Sequence, residues 1–368
     1  MNKLNDINES KVNLNNDNYI ITKTKILTYS ILTLIFIFTS YLSILFIQKH
    51  FSDKTLFLSF KSLSPIILLA LIILLIFHFL LDALRFLYIL KTLQIHITLG
   101  YLIKLTFINI FVSNITPFAT GGGFAQIYFL NKRNISIGDA TAATTIKTVL
   151  PFIFFFITTP IILIKNKSIS TIIPSGNNLI YIFSLVLIYF LAAYGCYKIL
   201  TNTNIIKKNL SKIFALLQNK NIISRNKIEK FRTNCFLEID IFALTIKRFL
   251  MGKKKYILLS IIYMILYLFT LFMFPVILIR GLNSSISTSQ IISIQILLTF
   301  ITYFAPTPGA TGVAESGFTL MFSNFVAKSD IVSLTFLWRF FTMYLGMLIG
   351  LIIFYLEISK NKLKRKNI

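Results

Sequence analysis

Apolar residues fall in long unbroken runs along this chain, and polar residues gather between the runs. A helix needs about 20 apolar residues to cross a bilayer, and runs of that length occupy roughly 26–47, 65–90, 140–164, 179–200, 256–279 and 331–356. Each predicts a membrane-spanning helix. The first is too long for a signal-peptide core, and no small-residue cleavage site follows it, so it is expected to be retained. Residues 1–25 are Asn-rich and polar, and no packed structure is expected there.

Two further apolar stretches, 101–130 and 290–325, are each broken in the middle. The first break is Thr116-Pro117-Phe118-Ala119-Thr120-Gly121-Gly122-Gly123; the second is Ala305-Pro306-Thr307-Pro308-Gly309-Ala310-Thr311-Gly312. Pro and Gly interrupt a helix and leave backbone groups unpaired. At membrane depth such groups are tolerated only where protein buries them or water reaches them.

Charge sets the expected orientation. The stretch 201–255 carries thirteen Lys and Arg, and the tail adds Lys360, Lys362, Lys364, Arg365 and Lys366. Both are expected on the cytoplasmic face, with the Lys-bearing N-terminus. Counting crossings from there, 101–130 must begin and end inside, and 290–325 must begin and end outside. Two re-entrant hairpins, one from each face, satisfy that parity. Two full crossings per stretch would satisfy it too, but 124–130 is too short to span at 1.5 Å per residue.

The broken segments share a word. Thr116-Pro117-Phe118-Ala119-Thr120-Gly121 matches Thr307-Pro308-Gly309-Ala310-Thr311-Gly312 at five of six positions, at an offset of 191. The same offset carries the span at 65 onto the one at 256, and 140–164 onto 331–355. Span, broken hairpin, span thus occurs twice, in opposite senses across the membrane. Inverted repeats with broken helices are characteristic of secondary transporters, whose substrate site lies where the breaks meet. The expected fold is an all-α polytopic membrane protein of six spans and two re-entrant hairpins. Repeat one covers about 63–165 and repeat two about 256–356, within a membrane domain of 26–356; a basic cytoplasmic loop covers 201–255 and a basic tail 357–368.

Composition agrees. Hydrophobic residues make up 56% of the 368, mean hydropathy is +0.78, and 13% are charged, against about 25% in soluble domains. The formal net charge of +25 would suggest nucleic acid in a soluble protein. Here the positive-inside bias and attraction to anionic lipid account for it, and no nucleic-acid motif is present. Within 201–255, Ile206, Leu210, Ile213, Phe214 and Leu217 recur at helical spacing among lysines, as in amphipathic helices lying on a membrane surface. Cys196 and Cys235 suggest neither a disulfide framework nor a metal site. No catalytic dyad, metal cluster or nucleotide loop is found, and no cofactor is expected.

Ionisable residues inside spans are costly, so each is a candidate for function. Lys147 and Arg339 lie at nearly the same depth in the two repeat-related spans. Two buried cations suit a phosphate headgroup; alternatively, each is held by a carboxylate or by backbone carbonyls. Asp82 and Arg85 share a helix face with His78, which favours an internal Asp–Arg pair over a proton-carrying role. Glu315 follows the second break and could stabilise a helix start, meet a cationic headgroup group or carry a proton. Gln126 occupies the matching region of the first hairpin. The turns themselves (Thr116, Pro117, Thr120, Gly121 and Gly122; Thr307, Pro308, Gly309, Thr311 and Gly312) offer backbone N–H groups to an anion, or simply close packing. Trp338 is expected to pack or to face lipid.

The stretch 114–130 with Ile137-Gly138-Asp139-Ala140-Thr141-Ala142-Ala143-Thr144 resembles the membrane region of lysylphosphatidylglycerol synthase, the flippase-like or UPF0104 family. Pro306-Thr307-Pro308-Gly309-Ala310-Thr311-Gly312-Val313-Ala314-Glu315-Ser316-Gly317 resembles its second signature, and Asp82-Ala83-Leu84-Arg85 a weaker third. The resemblance implies an inner-membrane protein of lipid handling, its membrane region similar to a lipid flippase. In the full-length family enzyme, lysyl transfer belongs to a separate cytosolic domain. The polar stretch 201–255 is too short for such a domain, so lysyltransferase activity is not expected of this chain. Relatives without that domain are linked to glycolipid and polyprenyl-lipid pathways. The leading expectation is therefore a flippase for an anionic or aminoacylated phospholipid or a polyprenyl-linked lipid. The alternatives are a lipid-modifying transferase and a membrane partner of a cytosolic lipid enzyme; self-association is left open.

Overall fold

The computed structural model describes residues 64–165, 203–219, 225–281 and 286–366, with positions 34, 38, 194 and 195. The described chain is helical, and no strand occurs among the described residues. In chain order the helices are α1 (Pro65–Thr92), α2 (Leu99–Asn114), α3 (Gly121–Asn131), α4 (Ile137–Lys165), α5 (Thr203–Asn219), α6 (Arg225–Leu250), α7 (Lys254–Arg280), α8 (Thr288–Thr302), α9 (Val313–Phe322), α10 (Lys328–Arg339) and α11 (Leu345–Lys366). Short 3₁₀ turns at Pro117–Ala119 and Pro308–Ala310 separate α2 from α3 and α8 from α9, and a π-helical turn, Phe340–Tyr344, joins α10 to α11.

Among the described residues, four helical segments are long and apolar enough to cross a membrane: Pro65–Thr92, Ile137–Ile164, Lys254–Arg280 and Asp330–Ser359. At 1.5 Å per residue each exceeds the ~30 Å hydrocarbon core. Four of the six expected spans are therefore present; 26–47 and 179–200 lie outside the described residues, apart from the isolated positions above. By contrast α2 and α8 have 16 and 15 residues, about 22–24 Å by the same rise.

Local chemistry explains several boundaries. Pro65 opens α1 behind Ser64, whose hydroxyl accepts from the Ile67 amide, as an N-cap should. Ser287 and Gln290 form a reciprocal capping box at the start of α8. Pro151 and Pro160 lie inside α4, and Pro275 inside α7.

The offset of 191 seen in the sequence runs through the elements. It lays α1 on α7, α2 on α8, the first 3₁₀ turn on the second, α3 on α9, and α4 on α10–α11. Packing interleaves the two halves. α1 lies along α7, α2 packs on α11, α8 packs on α4, and the two 3₁₀ turns contact each other. One apolar core joins Leu71, Phe274, Ile291, Phe318 and Leu334. A second joins Phe86, Leu102, Phe111, Ala140 and Met347. The outer faces stay apolar, with Ile66, Ile76, Ile157, Leu258 and Ile352 all exposed. That suits a lipid surround, where the hydrophobic effect does not drive side chains inward.

The basic stretch 201–255 is organised as two helices, as its spacing suggested, together with the start of α7. α5 packs on α6, and α6 packs on α4. Glu238 on α6 accepts the Gly138 amide at 2.5 Å, and Thr245 donates to Asp139 at 2.6 Å. Asp139 belongs to the first turn of α4 and Glu238 reaches that turn from α6, where the helix dipole favours negative charge.

Candidate functional site

Among the described residues, two networks hold charged side chains in the middle of the bundle. The first is centred on Asp82, in the middle of α1. Its Oδ1 accepts from Arg85 Nε at 2.7 Å and pairs with Arg85 Nη2 at 2.5 Å. Its Oδ2 accepts from Lys147 Nζ and from Thr106 Oγ1, both at 2.8 Å. Asp82, Arg85 and Lys147 are 4%, 8% and 4% exposed. Helical spacing places Arg85 beside Asp82, and α2 and α4 bring Thr106 and Lys147 to the same carboxylate. A charge buried this deeply must be paired and hydrogen-bonded to be tolerated.

Aromatic groups continue this network toward α7. The Arg85 guanidinium lies 4.2 Å from the Tyr267 ring centroid, and Tyr267 stacks on His78 at 4.5 Å. His78 Nδ1 is 3.0 Å from Thr270 Oγ1. Tyr303, which caps the end of α8, packs on Phe152 of α4.

The second network locks that turn. Arg339 Nε donates to Glu315 Oε1 at 2.8 Å, and Arg339 Nη2 donates to the Gly309 carbonyl at 2.6 Å. Glu315 Oε2 accepts the Gly312 amide at 2.7 Å, which caps α9. Glu315 is wholly buried and Arg339 is 7% exposed. The π-helical turn begins immediately after Arg339.

The first turn has the same backbone but no ionic lock. Phe118 has φ 53° and ψ 20°; Gly309, its counterpart at the 191 offset, has φ 58° and ψ 20°. The next residues, Ala119 and Ala310, are also left-handed, at φ 53° and 55°. Position 124, the counterpart of Glu315, is an exposed Phe. Pro117–Thr120 is exposed, whereas Gly309 and Thr311 are buried. Gly122 sits so tightly against Asn109 and Ser113 of α2 that a Cβ would collide with both.

This geometry sorts the residues singled out from the sequence. Lys147 and Arg339 are each held by a different carboxylate, as the alternative reading had it, because neither charge could otherwise stay buried. The Asp82–Arg85 pair is present. Glu315 does start a helix, and it also pairs with Arg339. The turn amides expected to be open to an anion are satisfied internally where they begin α3 and α9: Gly121 N–H is taken by Thr116 Oγ1 at 3.0 Å, and Gly312 N–H by Glu315. The threonine hydroxyls serve the turns as well. Thr116 donates to Val112, Thr120 to Pro117, Thr307 to Thr311 and Thr311 to Pro308. Pro117 and Pro308 open the two 3₁₀ turns. Gln126 is 2% exposed and its Nε2 has no partner. Trp338 packs inside, stacked on Phe318 at 4.6 Å. Thr106, Tyr267, Thr270 and Tyr303 were not anticipated; each is an ordinary residue of an apolar run, with no local signal. Among the described residues no cluster of His, Cys, Asp and Glu could hold a metal.

The comparisons agree with the membrane architecture. The family described as the lysylphosphatidylglycerol synthase TM region matches residues 27–350. A UPF0104 membrane protein of Archaeoglobus fulgidus is 24% identical over 322 residues, covering 86% of this chain and 94% of the relative. The chain is a helical membrane protein and belongs to the lysylphosphatidylglycerol synthase transmembrane-region family.

Proposed function

We propose that this chain moves a lipid with an anionic headgroup between the leaflets of the cytoplasmic membrane. The observation that carries the reading is the contact between two broken helical turns of matching backbone, each in one half of the chain. Broken helices that meet inside a bundle are tolerated where they line a polar path. In this reading α2–α3 is a re-entrant hairpin from the cytoplasmic face, and α8–α9 is its inverted counterpart from the opposite face. Spans at 26–47 and 179–200 complete six crossings, with both termini cytoplasmic.

The headgroup passes beside the two turns. Thr116, Pro117, Thr120, Gly121 and Gly122 shape the exposed side of the path, and Thr307, Pro308, Gly309, Thr311 and Gly312 the locked side. Gln126 and the buried charges of Asp82, Arg85, Lys147, Glu315 and Arg339 supply polarity within the bilayer. The family description, the membrane region of a lipid synthase, supports a lipid as the partner.

The test is purified protein in vesicles carrying fluorescent phosphodiester and polyprenyl-phosphate lipids. Faster exchange of at least one probe between leaflets than in empty vesicles is expected. Unchanged exchange of every probe overturns the reading.

A further inference from the structure

The Asp82 network is not balanced. Arg85 and Lys147 bring two positive charges to one carboxylate, so the buried group is left with an excess of one. A net charge inside an apolar bundle is expensive unless a counter-charge reaches it. Arg339 and Glu315, by contrast, balance each other.

A second observation marks where the counter-charge is missing. Arg85 Nη1 is buried and has no hydrogen-bond partner, although Nε and Nη2 of the same guanidinium are both taken by Asp82. It is the one cationic nitrogen among the described residues left in that state. The Tyr267 ring covers the guanidinium. A water molecule could satisfy the hydrogen bond at Nη1 but not the charge.

We propose that Arg85 Nη1, with Lys147 beside the same carboxylate, anchors a site for a singly charged phosphoryl group. A monoanion balances the excess of one; a dianion would overshoot it. A guanidinium nitrogen suits a phosphoryl oxygen, and Lys147 keeps donors beyond the one given to Asp82. The proposal rests on the reading that the chain handles anionic headgroups and assigns that headgroup a charge and an anchor. A phosphodiester lipid and a free phosphate ion share this chemistry.

The experiment is calorimetric titration of the purified full chain with three probes: dihexanoylphosphatidylglycerol, dihexanoylphosphatidylcholine and inorganic phosphate. Arg85→Gln leaves the neutral Asp82–Lys147 pair, and Lys147→Met leaves the neutral Asp82–Arg85 pair, so both variants are expected to fold. The anionic lipid should bind at least about tenfold more tightly than the zwitterionic one, and each variant should weaken it about tenfold or more, as losing a charge-assisted contact does. Binding of inorganic phosphate alone, lost in the same variants, supports the anion site and assigns it to a free ion. Variants that bind every probe as the parent does overturn the site; equal affinity for the two lipids, which share the phosphodiester and differ by the choline cation, overturns the charge balance on which it is argued. Binding lost in Arg85→Gln in a chain that moves no lipid leaves the site standing and removes the transport reading. Transport with binding that does not depend on Arg85 does the reverse.

Discussion

Phe118 and Gly309, 191 residues apart, hold the same left-handed backbone conformation, at φ 53°, ψ 20° and φ 58°, ψ 20°. Glycine takes that conformation without steric cost, while a residue bearing a Cβ pays about 1–2 kcal/mol. At this position the first turn therefore carries strain that the second does not, while Ala119 and Ala310 carry it alike. The Phe118 side chain is 56% exposed, so little packing offsets the cost. Phe118→Gly should stabilise the protein by about 1 kcal/mol, read as a higher thermal midpoint in detergent. A lower midpoint would mean that the phenyl ring contributes more than its exposure implies.

Two adjacent glycines in the first hairpin should respond differently. A Cβ at Gly122 would run into Asn109 and Ser113 of α2, whereas one at Gly123 meets nothing within 4 Å. Gly122→Ala should cost about 1–3 kcal/mol, as overpacking does, and should loosen α3 from α2. Gly123→Ala should be neutral or stabilising by up to about 1 kcal/mol, through helix propensity. Equal midpoints for the two variants would argue against the tight α2–α3 contact.

Removing a carboxylate should hurt more than removing a cation in the Asp82 network. Asp82→Asn leaves Arg85 and Lys147 buried together without a counter-charge, a loss of about 3–5 kcal/mol. Glu315→Gln strands Arg339 and weakens the cap on α9, with a loss of similar size. Thermal unfolding compared with Arg85→Gln checks the order: the two carboxylate variants should melt well below it. Arg85→Gln melting as low as Asp82→Asn would contradict the charge count.

Much of this architecture is legible in the residues. Long apolar runs mark α1, α4, α7 and the α10–α11 segment because burial in lipid demands continuous hydrophobicity. The shared word around Thr116 and Thr307 locates both breaks, since Pro and Gly disrupt helices locally. The Asp82–Arg85 pair follows from helical spacing. The partners Thr106 and Tyr267 do not, because long-range packing chose them: Tyr267 is one of sixteen tyrosines, with nothing around it to set it apart. The exposure of the first turn and the locking of the second were also hidden. They depend on whether position 124 or 315 carries the carboxylate, and on where Arg339 points. The π-helical turn at Phe340–Tyr344 has no Pro or Gly to announce it; it begins where the Arg339 side chain is drawn to Glu315 and Gly309.

The proposed translocation path requires two broken hairpins that enter the membrane from opposite sides and meet. Single cysteines at Phe118 and Phe304, both more than half exposed, test it in a background with Cys196 and Cys235 replaced by Ser. Membrane-impermeant thiol labelling is then applied to sealed vesicles of each orientation. Phe118→Cys should label from the cytoplasmic side and Phe304→Cys from the opposite side. Labelling of both from one side would contradict the inverted arrangement and the translocation path built on it.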